Sequence, residues 1–84
     1  MPLAIKIPYS QHIPDALQET PEEFEREAKI AMAVKLFEIK KLSSGMAASL
    51  AGMERVAFLY QLRRYNVAAI DTSEDELLED INNA

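Results

Sequence analysis

The chain has 84 residues, no cysteine and a formal charge of −5, which arises from 14 acidic and 9 basic residues. Without cysteine it has no disulfide framework, no zinc–thiolate site and no thiol nucleophile, and its 49% apolar content is typical of a folded domain rather than a disordered chain. We expect one small domain that gains stability from a second subunit, because a chain of this length buries only about two thirds of its unfolded surface.

The acidic excess lies at the C-terminal end. Residues 67–84 carry six acids and no base, a net charge of −6, whereas residues 43–66 carry three arginines against one glutamate, a net charge of +2. The negative total therefore does not exclude nucleic acid as a ligand. The sequence begins without a secretory signal and has no apolar run near the roughly 18 residues of a membrane span, so we expect a cytoplasmic protein with no membrane contact.

Residues 1–19 are predicted to form a short strand followed by an irregular arm. Leu3, Ile5 and Ile7 alternate with alanine and lysine, which is the period of a strand, and Pro8 ends it because proline donates no ladder hydrogen bond. A single strand needs a partner, so the pairing strand must come from another segment or another subunit.

Residues 20–42 are predicted to form a long helix. Thr20 can cap the backbone of Glu23, Glu23 can bond back to Thr20, and Pro21 suits the first helical position. We expect this helix to run unbroken to about Lys41, where lysines favour the negative pole of the helix dipole.

The second half of this helix is apolar around most of its circumference, so it must be covered on several sides. Two explanations remain open: it contacts a second subunit, or it is the central helix of the monomer core. The dimer interface predicted from this helix and the N-terminal strand comprises Ile5, Ile7, Met32, Leu36 and Phe37.

Residues 43–66 are predicted to form a helix-turn-helix. A short helix, capped by one of two adjacent serines, ends near Ala51, and Gly52 supplies the left-handed turn. The small side chain of Ala48 lets the two helices approach closely. Phe58 is then expected on the inner face of the second helix. A small residue, a glycine and a large apolar residue at this spacing are typical of the motif.

The second helix of this motif runs from about Glu54 to Tyr65, with Asn66 expected as its left-handed terminus, and is the candidate DNA-recognition helix. Its predicted apolar inner face comprises Val56, Phe58, Leu59 and Leu62. Arg55 can pair with a guanine edge and Gln61 with an adenine edge. The predicted phosphate contacts are Arg63, Arg64, Lys40 and Lys41. Two observations oppose this interpretation: Glu54 lies at the end that would enter the groove, and arginines on a short helix often form only a solvated face.

Residues 67–84 are predicted to contain a second short strand over 67–70 and a terminal helix opened by a capping box at 73–76. The candidate contacts of this acidic segment with a partner protein are Leu77, Leu78 and Ile81. The alternative is a solubilising helix that folds back on the domain. The predicted fold of the single domain, residues 1–84, is therefore mainly α: a short N-terminal strand, a long helix, a helix-turn-helix, a short C-terminal strand and a terminal helix, in a homodimer.

Catalysis is not predicted. His12 is the only histidine and has no acid or nucleophile at a fixed spacing, so we expect it to be a loop residue. Asp71, Ser73 and Asp75 match a calcium loop only in part, because its glycine and its terminal glutamate are missing. We expect no enzyme activity, no metal, no cofactor and no small-molecule substrate.

Motifs spread over most of the chain resemble a known family. They are an alternating "LAIKIP" strand, a "P-E-E-F-x-x-E" helix start at 21–27, "A-V-x-L-[FY]" at 33–37, "L-S-x-G-x-A-A-x-L-A-G-M" at 42–53, and an acidic tail. The chain resembles an uncharacterised protein family of the UPF series: short prokaryotic helix-turn-helix, antitoxin-like proteins that are often encoded beside PIN-domain toxins. Where many members have a serine after the "A-G-M" motif, this chain has Glu54.

The resemblance implies a small dimeric helix-turn-helix protein that represses its own operon and binds a toxin of the PIN-domain type. Our first hypothesis is therefore an antitoxin-like or DNA-binding transcriptional regulator that acts as a dimer on operator DNA. The alternative is a non-enzymatic protein-interaction module, whose acidic C-terminal segment binds a partner protein and which does not bind DNA.

Overall fold

Four α-helices make up the regular secondary structure of residues 2–69, the part of the chain that the computed structural model describes. In chain order they are α1 (His12–Leu17), α2 (Pro21–Glu38), α3 (Ser44–Ala51) and α4 (Arg55–Arg64). Helix α2 packs against α1, α3 and α4, and α3 also packs against α4. The mainly α fold is therefore confirmed for these residues, with α2 as their central helix.

The core lies between α2, α3 and α4. Phe58 and Leu62 of α4 are completely buried, and the ring of Phe58 meets the ring of Phe37 edge-on, with the centroids 6.1 Å apart. The other buried apolar residues are Ile30, Ala33, Val34, Ala47, Ala48 and Ala51. Alanines on α2 and α3 let the helix backbones approach, and the larger side chains of α4 fill the remaining space.

The start of α2 is determined by the predicted capping box. Thr20 Oγ1 accepts a hydrogen bond from the Glu23 amide at 3.1 Å, and Glu23 Oε1 accepts one from the Thr20 amide at 2.8 Å. Pro21 occupies the first helical position. The box satisfies amides that have no partner inside the helix, and such a cap contributes about 0.5–2 kcal/mol.

Each of the four helices is followed by a residue with a left-handed backbone. These residues are Gln18 (φ +58°), Lys40 (φ +65°), Gly52 (φ +76°) and Asn66 (φ +57°). The amide after each of them bonds to a carbonyl five residues earlier, which closes the helix end. The left-handed turns predicted at Gly52 and Asn66 are confirmed.

Helix α2 ends at Glu38, and the prediction that it continues to about Lys41 is wrong. The backbone turns at Lys40, and the amides of Lys41 and Leu42 both bond to the carbonyl of Leu36, at 2.8 and 3.1 Å. These bonds occupy the carbonyl that the next helical amide would otherwise use. Lys40 and Lys41 consequently lie in the turn between α2 and α3.

The two predicted strands are not present among residues 2–69. Residues 3–7 form no strand, because no other segment in this range supplies the backbone partner that a ladder requires. Residues 67–69 are not a strand either, since the Val67 amide bonds to the Leu62 carbonyl at 2.9 Å and belongs to the end of α4. Ile70 and the predicted terminal helix lie outside the described residues.

Helix α1 lies where the sequence predicted an irregular arm, and His12 is its first residue rather than a loop residue. The usual signals of a helix start are missing, because the Gln11 side chain makes no capping bond and Pro14 lies in the first turn. Proline is tolerated there, since amides of the first turn have no helical partner. Pro14 is completely buried, and packing of α1 on α2 holds the helix.

Candidate nucleic-acid interface

Helices α3 and α4 form a packed pair joined by the short turn 52–54. Gly52 has a φ of +76°, and a β-carbon at this position would lie 3.1 Å from Nζ of Lys29. Ala48 is 2% exposed and Phe58 is completely buried, as the spacing small, glycine, large predicts. The pair is therefore closed on its inner side and fixed against α2.

The exposed side of α4, which we call the outer face, combines apolar and basic side chains. It comprises Val56, Ala57, Tyr60, Arg63 and Arg64. Val56 is 65% exposed and Tyr60 is 63% exposed. The prediction that Val56 faces the core is wrong, because it precedes the buried Phe58 by two residues. Two steps of about 100° in a helix place these side chains on opposite sides.

Arg55 is anchored to α3. Its Nε donates a 2.8 Å hydrogen bond to Oγ of Ser44, a side chain with no exposed surface, and Arg55 itself is half-buried. This contact joins the first turn of α4 to the first turn of α3. The structure thus places the predicted guanine-reading residue at the junction of the two helices, where one of its donors is already engaged.

Gln61 and Arg64 are paired on α4. Nη1 of Arg64 donates a 2.8 Å hydrogen bond to Oε1 of Gln61, which is half-buried, whereas Arg63 and Arg64 are exposed. Gln61 therefore lies at the edge of the outer face rather than on it. Both arginines belong to the last turn of α4, where they also complement the negative pole of the helix dipole.

The basic residues predicted to contact DNA fall into two groups. Lys40 and Lys41 are exposed in the turn before α3, and Arg55 joins the start of α3 to the start of α4. Arg63 and Arg64 lie at the other end of α4, about 13 Å farther along the helix axis at 1.5 Å per residue. Positive charge is therefore available at both ends of α4.

Charge is separated along the described part of the chain. Residues 15–27 carry six acids and one arginine, a net charge of −5, whereas residues 40–64 carry five bases and one glutamate, a net charge of +4. The single acid of the basic segment is Glu54, which is exposed and makes no side-chain capping bond at the start of α4. A polyanion is consequently attracted to the α3–α4 end of the chain and repelled by the first half of α2.

Two features of this surface were not predicted from the sequence. The Ser44–Arg55 contact joins residues 11 positions apart across a turn, and no periodicity reports such a pairing. The outward position of Val56 does have a signal, because its angle around the helix can be counted from Phe58 and Leu62 once these are taken as the inner residues.

A second surface feature is an apolar groove between the N-terminal arm and α2. It has a volume of about 960 Å³ and a mainly apolar lining, formed by residues 3–9, Phe24, Glu25, Ala28, Lys29, Met32 and Leu50. We call this cavity the arm groove. It lies on the same side of α2 as residues of the predicted dimer interface.

The predicted dimer-interface residues are only partly accessible. Ile5 and Ile7 are 66% and 64% exposed, and Met32 and Leu36 are half-buried on α2. Phe37 is 7% exposed because it packs in the core between α2 and α4. Phe37 therefore belongs to the monomer core, which was the alternative explanation of the apolar α2, whereas Ile5 and Ile7 retain most of their surface.

Tyr9 attaches the arm to α2. Its ring meets the ring of Phe24 edge-on, with the centroids 4.8 Å apart, and its hydroxyl donates a hydrogen bond to the carboxylate of Glu25. This hydrogen bond, and after it desolvation and the negative charges of Glu25 and Glu22, raise the pKa of Tyr9 to about 12.

We expect this attachment to weaken in strongly alkaline solution. The pKa of Tyr9 in the folded chain lies above the ordinary value of 10.0, so its stabilising contribution is complete below pH 10.0 and is lost as the pH rises towards 12. The difference in tyrosinate absorbance between the wild type and Tyr9→Phe should show a titration near pH 12. Tyr60→Phe should leave that component in place, and a component near pH 10 would mean that the Glu25 contact does not form.

Other predicted features are not part of this surface. Leu77, Leu78 and Ile81, the predicted partner contacts, lie outside the described residues, as does the segment 71–75 that resembles a calcium loop. Within residues 2–69, no group of three histidine, aspartate or glutamate side chains is arranged to hold a metal ion. No helix in this range has the length and apolar character needed to cross a membrane.

Comparison with known proteins finds a family model that matches the whole chain and relatives that match most of it. The sequence model of the uncharacterised protein family UPF0175 matches residues 1–84. A UPF0175 protein of Aeropyrum pernix is 44% identical over 59 residues, which are 70% of this chain and 75% of the relative. A second UPF0175 protein of the same organism is 35% identical over 69 residues, which are 82% of this chain and 76% of the relative. No solved structure matches the chain significantly.

Proposed function

The chain belongs to the uncharacterised protein family UPF0175, and we propose that it is a DNA-binding transcriptional regulator with an antitoxin-like role, acting as a dimer. In this proposal α3 and α4 are a helix-turn-helix, and α4 is the recognition helix. The observation that carries it is the outer face of α4, where Arg63 and Arg64 are exposed while Phe58 and Leu62 hold the opposite side in the core.

A recognition helix must be held firmly while one side stays accessible. The two buried side chains of α4 hold its inner side, and the hydrogen bond from Arg55 to Ser44 sets the position of its first turn against α3. Val56 and Ala57 then point outwards from that turn. Their small apolar side chains permit close approach to base edges and can contact the methyl group of thymine.

The charges at the two ends of α4 suit phosphates on both sides of a major groove. Lys40 and Lys41 precede α3, and Arg63 and Arg64 end α4, so a backbone contact is available on each side of the outer face. The net charge of +4 over residues 40–64 attracts DNA. The acidic residues 15–27 are expected to lie away from it.

Arg55 and Gln61 take positioning roles in this proposal, beside the base contacts predicted for them. Arg55 orients α4 through Ser44, and Gln61 orients the guanidinium of Arg64. Because these two side chains are half-buried and already hydrogen-bonded, we expect phosphate contacts to supply most of the affinity.

The double substitution Arg63→Ala, Arg64→Ala tests the outer face. We expect the affinity for DNA from upstream of the protein's own gene to fall about 10- to 100-fold at roughly 0.1 M salt. The slope of log affinity against log salt concentration should decrease by about 3.6, because the two subunits of a dimer lose four phosphate contacts and each contact accounts for about 0.9. Fluorescence anisotropy titrations at several salt concentrations measure both quantities.

The matched control is Arg26→Ala, Lys35→Ala, which removes two exposed basic side chains from α2. This variant should bind within about twofold of the wild type, since neither residue lies on the proposed interface. Equal losses in the two double variants would indicate attraction by overall charge alone. Unchanged binding after the loss of Arg63 and Arg64 would contradict contact through α4.

The toxin partner is implied by family resemblance, which points to a protein of the PIN-domain type. If the wild type does not bind its upstream DNA even at about 50 mM salt, the protein-interaction alternative takes precedence. In that case deletion of residues 72–84, which removes Leu77, Leu78 and Ile81, should abolish capture of a PIN-domain protein encoded beside it. The helical circular dichroism of residues 2–69 should be retained, and unchanged capture would reject this alternative.

A further inference from the structure

Within residues 2–69, the N-terminal arm has the properties of a strand without a partner. Leu3, Ile5 and Ile7 are 98%, 66% and 64% exposed. Residues 2–10 contain no helix, turn or bend, and none of them has a positive φ. Within the part of the chain that the structure describes, no backbone hydrogen bond joins residues 2–9 to another segment. Backbone donors and acceptors are thus available beside a row of aliphatic side chains.

We propose that residues 3–7 pair with the same residues of a second copy in a two-stranded antiparallel ribbon, with Ile5 opposite Ile5 of the partner subunit. This ribbon is the subunit contact of the dimer. It rests on the proposed function in one respect only, which is that the dimer is the active form. A two-fold axis through the centre of the ribbon makes the contact identical for both copies, which closes the assembly at two subunits.

The side chains favour this register. With the two Ile5 residues opposite each other, Leu3 lies opposite the partner's Ile7, so one face of the ribbon is a continuous aliphatic row. On the other face Ala4 lies opposite the partner's Lys6. Each lysine therefore has a small neutral neighbour rather than another lysine.

The neighbouring registers are less favourable. Centring the pair on Lys6 places two like charges directly opposite each other. Centring it on Ala4 places Lys6 opposite Pro2, which has no amide for the ladder. A centre between two residues pairs the aliphatic row with alanine and lysine and breaks the apolar face.

The arm groove provides the second surface for the ribbon. Its walls combine the arm with Met32 of α2 and Leu50 of α3, so an apolar strand added beside the arm would extend over a surface that is already apolar. Leu3, Ile5 and Ile7 are exposed and also line this mainly apolar groove of about 960 Å³, so they form one patch with it. Such patches are rare on monomeric proteins and mark interaction sites.

Single cysteines test the register, because the natural chain has none. Ile5→Cys should form an intermolecular disulfide under mild oxidation, since directly opposite residues of an antiparallel pair have Cα atoms about 4.5–5.5 Å apart. Ala4→Cys is the matched control, because two copies of position 4 lie farther apart than the roughly 7 Å that a disulfide can bridge. Mixing Ala4→Cys with Lys6→Cys should restore the cross-link on a non-reducing gel.

Sedimentation equilibrium tests the ribbon without cysteines. The wild type should have the mass of a dimer, and Ile5→Lys should raise the dimer dissociation constant by at least about 30-fold, as expected at the centre of an interface. Leu17→Lys is the control, because this residue of α1 is also an exposed aliphatic, at 53%. It should leave the dimer unchanged.

Several results would overturn the ribbon. Cross-linking of Ala4→Cys alone that equals or exceeds that of Ile5→Cys would exclude this register. A dimer that persists in Ile5→Lys would place the subunit contact elsewhere. If the wild type is monomeric at every protein concentration measured, the ribbon is rejected. The arm would then be available to pair with a strand from another protein or from the chain's own C-terminal segment.

Failure of the ribbon is distinguishable from failure of the proposed function. Ile5→Lys does not alter the outer face of α4. If the wild type is monomeric, and DNA binding still depends on Arg63 and Arg64, DNA binding through α4 is retained and the ribbon is rejected. A dimer with the predicted cross-links that never binds its upstream DNA would keep the ribbon and reject the function.

Discussion

Replacing Phe58 with alanine should lower the free energy of unfolding by about 3–5 kcal/mol. Phe58 is completely buried and packs edge-on against Phe37, with the ring centroids 6.1 Å apart, at the point where α4 meets α2. The substitution removes both the transfer free energy of the ring and its contacts with the surrounding side chains. Because small domains have total stabilities of about 5 kcal/mol or slightly more, a large fraction of this variant should be unfolded.

The matched control for this prediction is Val56→Ala on the same helix. Val56 is 65% exposed, so its truncation should change the free energy of unfolding by less than about 0.5 kcal/mol. Urea denaturation followed by far-ultraviolet circular dichroism measures both. If Phe58→Ala does not fold at all, Phe58→Leu should show an intermediate loss. Equal effects at positions 56 and 58 would contradict the division of α4 into an inner and an outer side.

Replacing Ala48 with leucine should lower the free energy of unfolding by about 1–3 kcal/mol. Ala48 is 2% exposed on α3, which packs against both α2 and α4. A larger side chain at this position has no space, because it must displace the backbone of a neighbouring helix or adopt a strained rotamer. In the proposed function this displacement also shifts α4, so DNA affinity should fall more than the loss of folded protein alone explains.

Ala57→Leu is the control for the crowding at position 48. Ala57 lies on the outer face of α4, where added methyl groups meet solvent, so the free energy of unfolding measured by urea denaturation should stay within about 0.5 kcal/mol of the wild type. If Ala48→Leu left the free energy of unfolding unchanged, the close approach of α3 to its neighbours would be contradicted. Both variants replace alanine with leucine, so the difference between their free energies of unfolding reports the packing around position 48.

The helix starts and the inner residues of α4 were predictable because they depend on local chemistry. The Thr20–Glu23 capping box and Pro21 begin α2 where the sequence places it, since the bonds that satisfy the first amides lie within four residues. Phe58 and Leu62 are four residues apart and share a face in any α-helix. Such features need no information about the rest of the fold.

The helix ends were predictable only where the residue type signals them. Gly52 and Asn66 occur in the left-handed conformation that suits them, and both were expected. Lys40 has the same conformation, but lysine carries no preference for it, so the early end of α2 was missed. Helix α1 was missed for a related reason, since it has no capping side chain and depends on its packing against α2.

The candidate site was predictable in its residue types and not in their roles. Basic residues concentrated in 40–64 were evident from the sequence, as was the motif built on Ala48 and Gly52. Which of them remain accessible depended on contacts between distant positions. Arg55 is held by Ser44, 11 residues away, whereas Arg63 and Arg64 are exposed.

The sequence by itself determined that this protein is a mainly helical domain, with a basic helix pair and an acidic end. These properties follow from periodicity, capping and composition, which act within a few residues. Only the tertiary structure decided that Phe37 is core, that Val56 is surface and that residues 3–7 have no strand partner within residues 2–69. Burial and strand pairing are properties of segments that meet in space, so the exposed arm and the outer face of α4 became visible only in the fold.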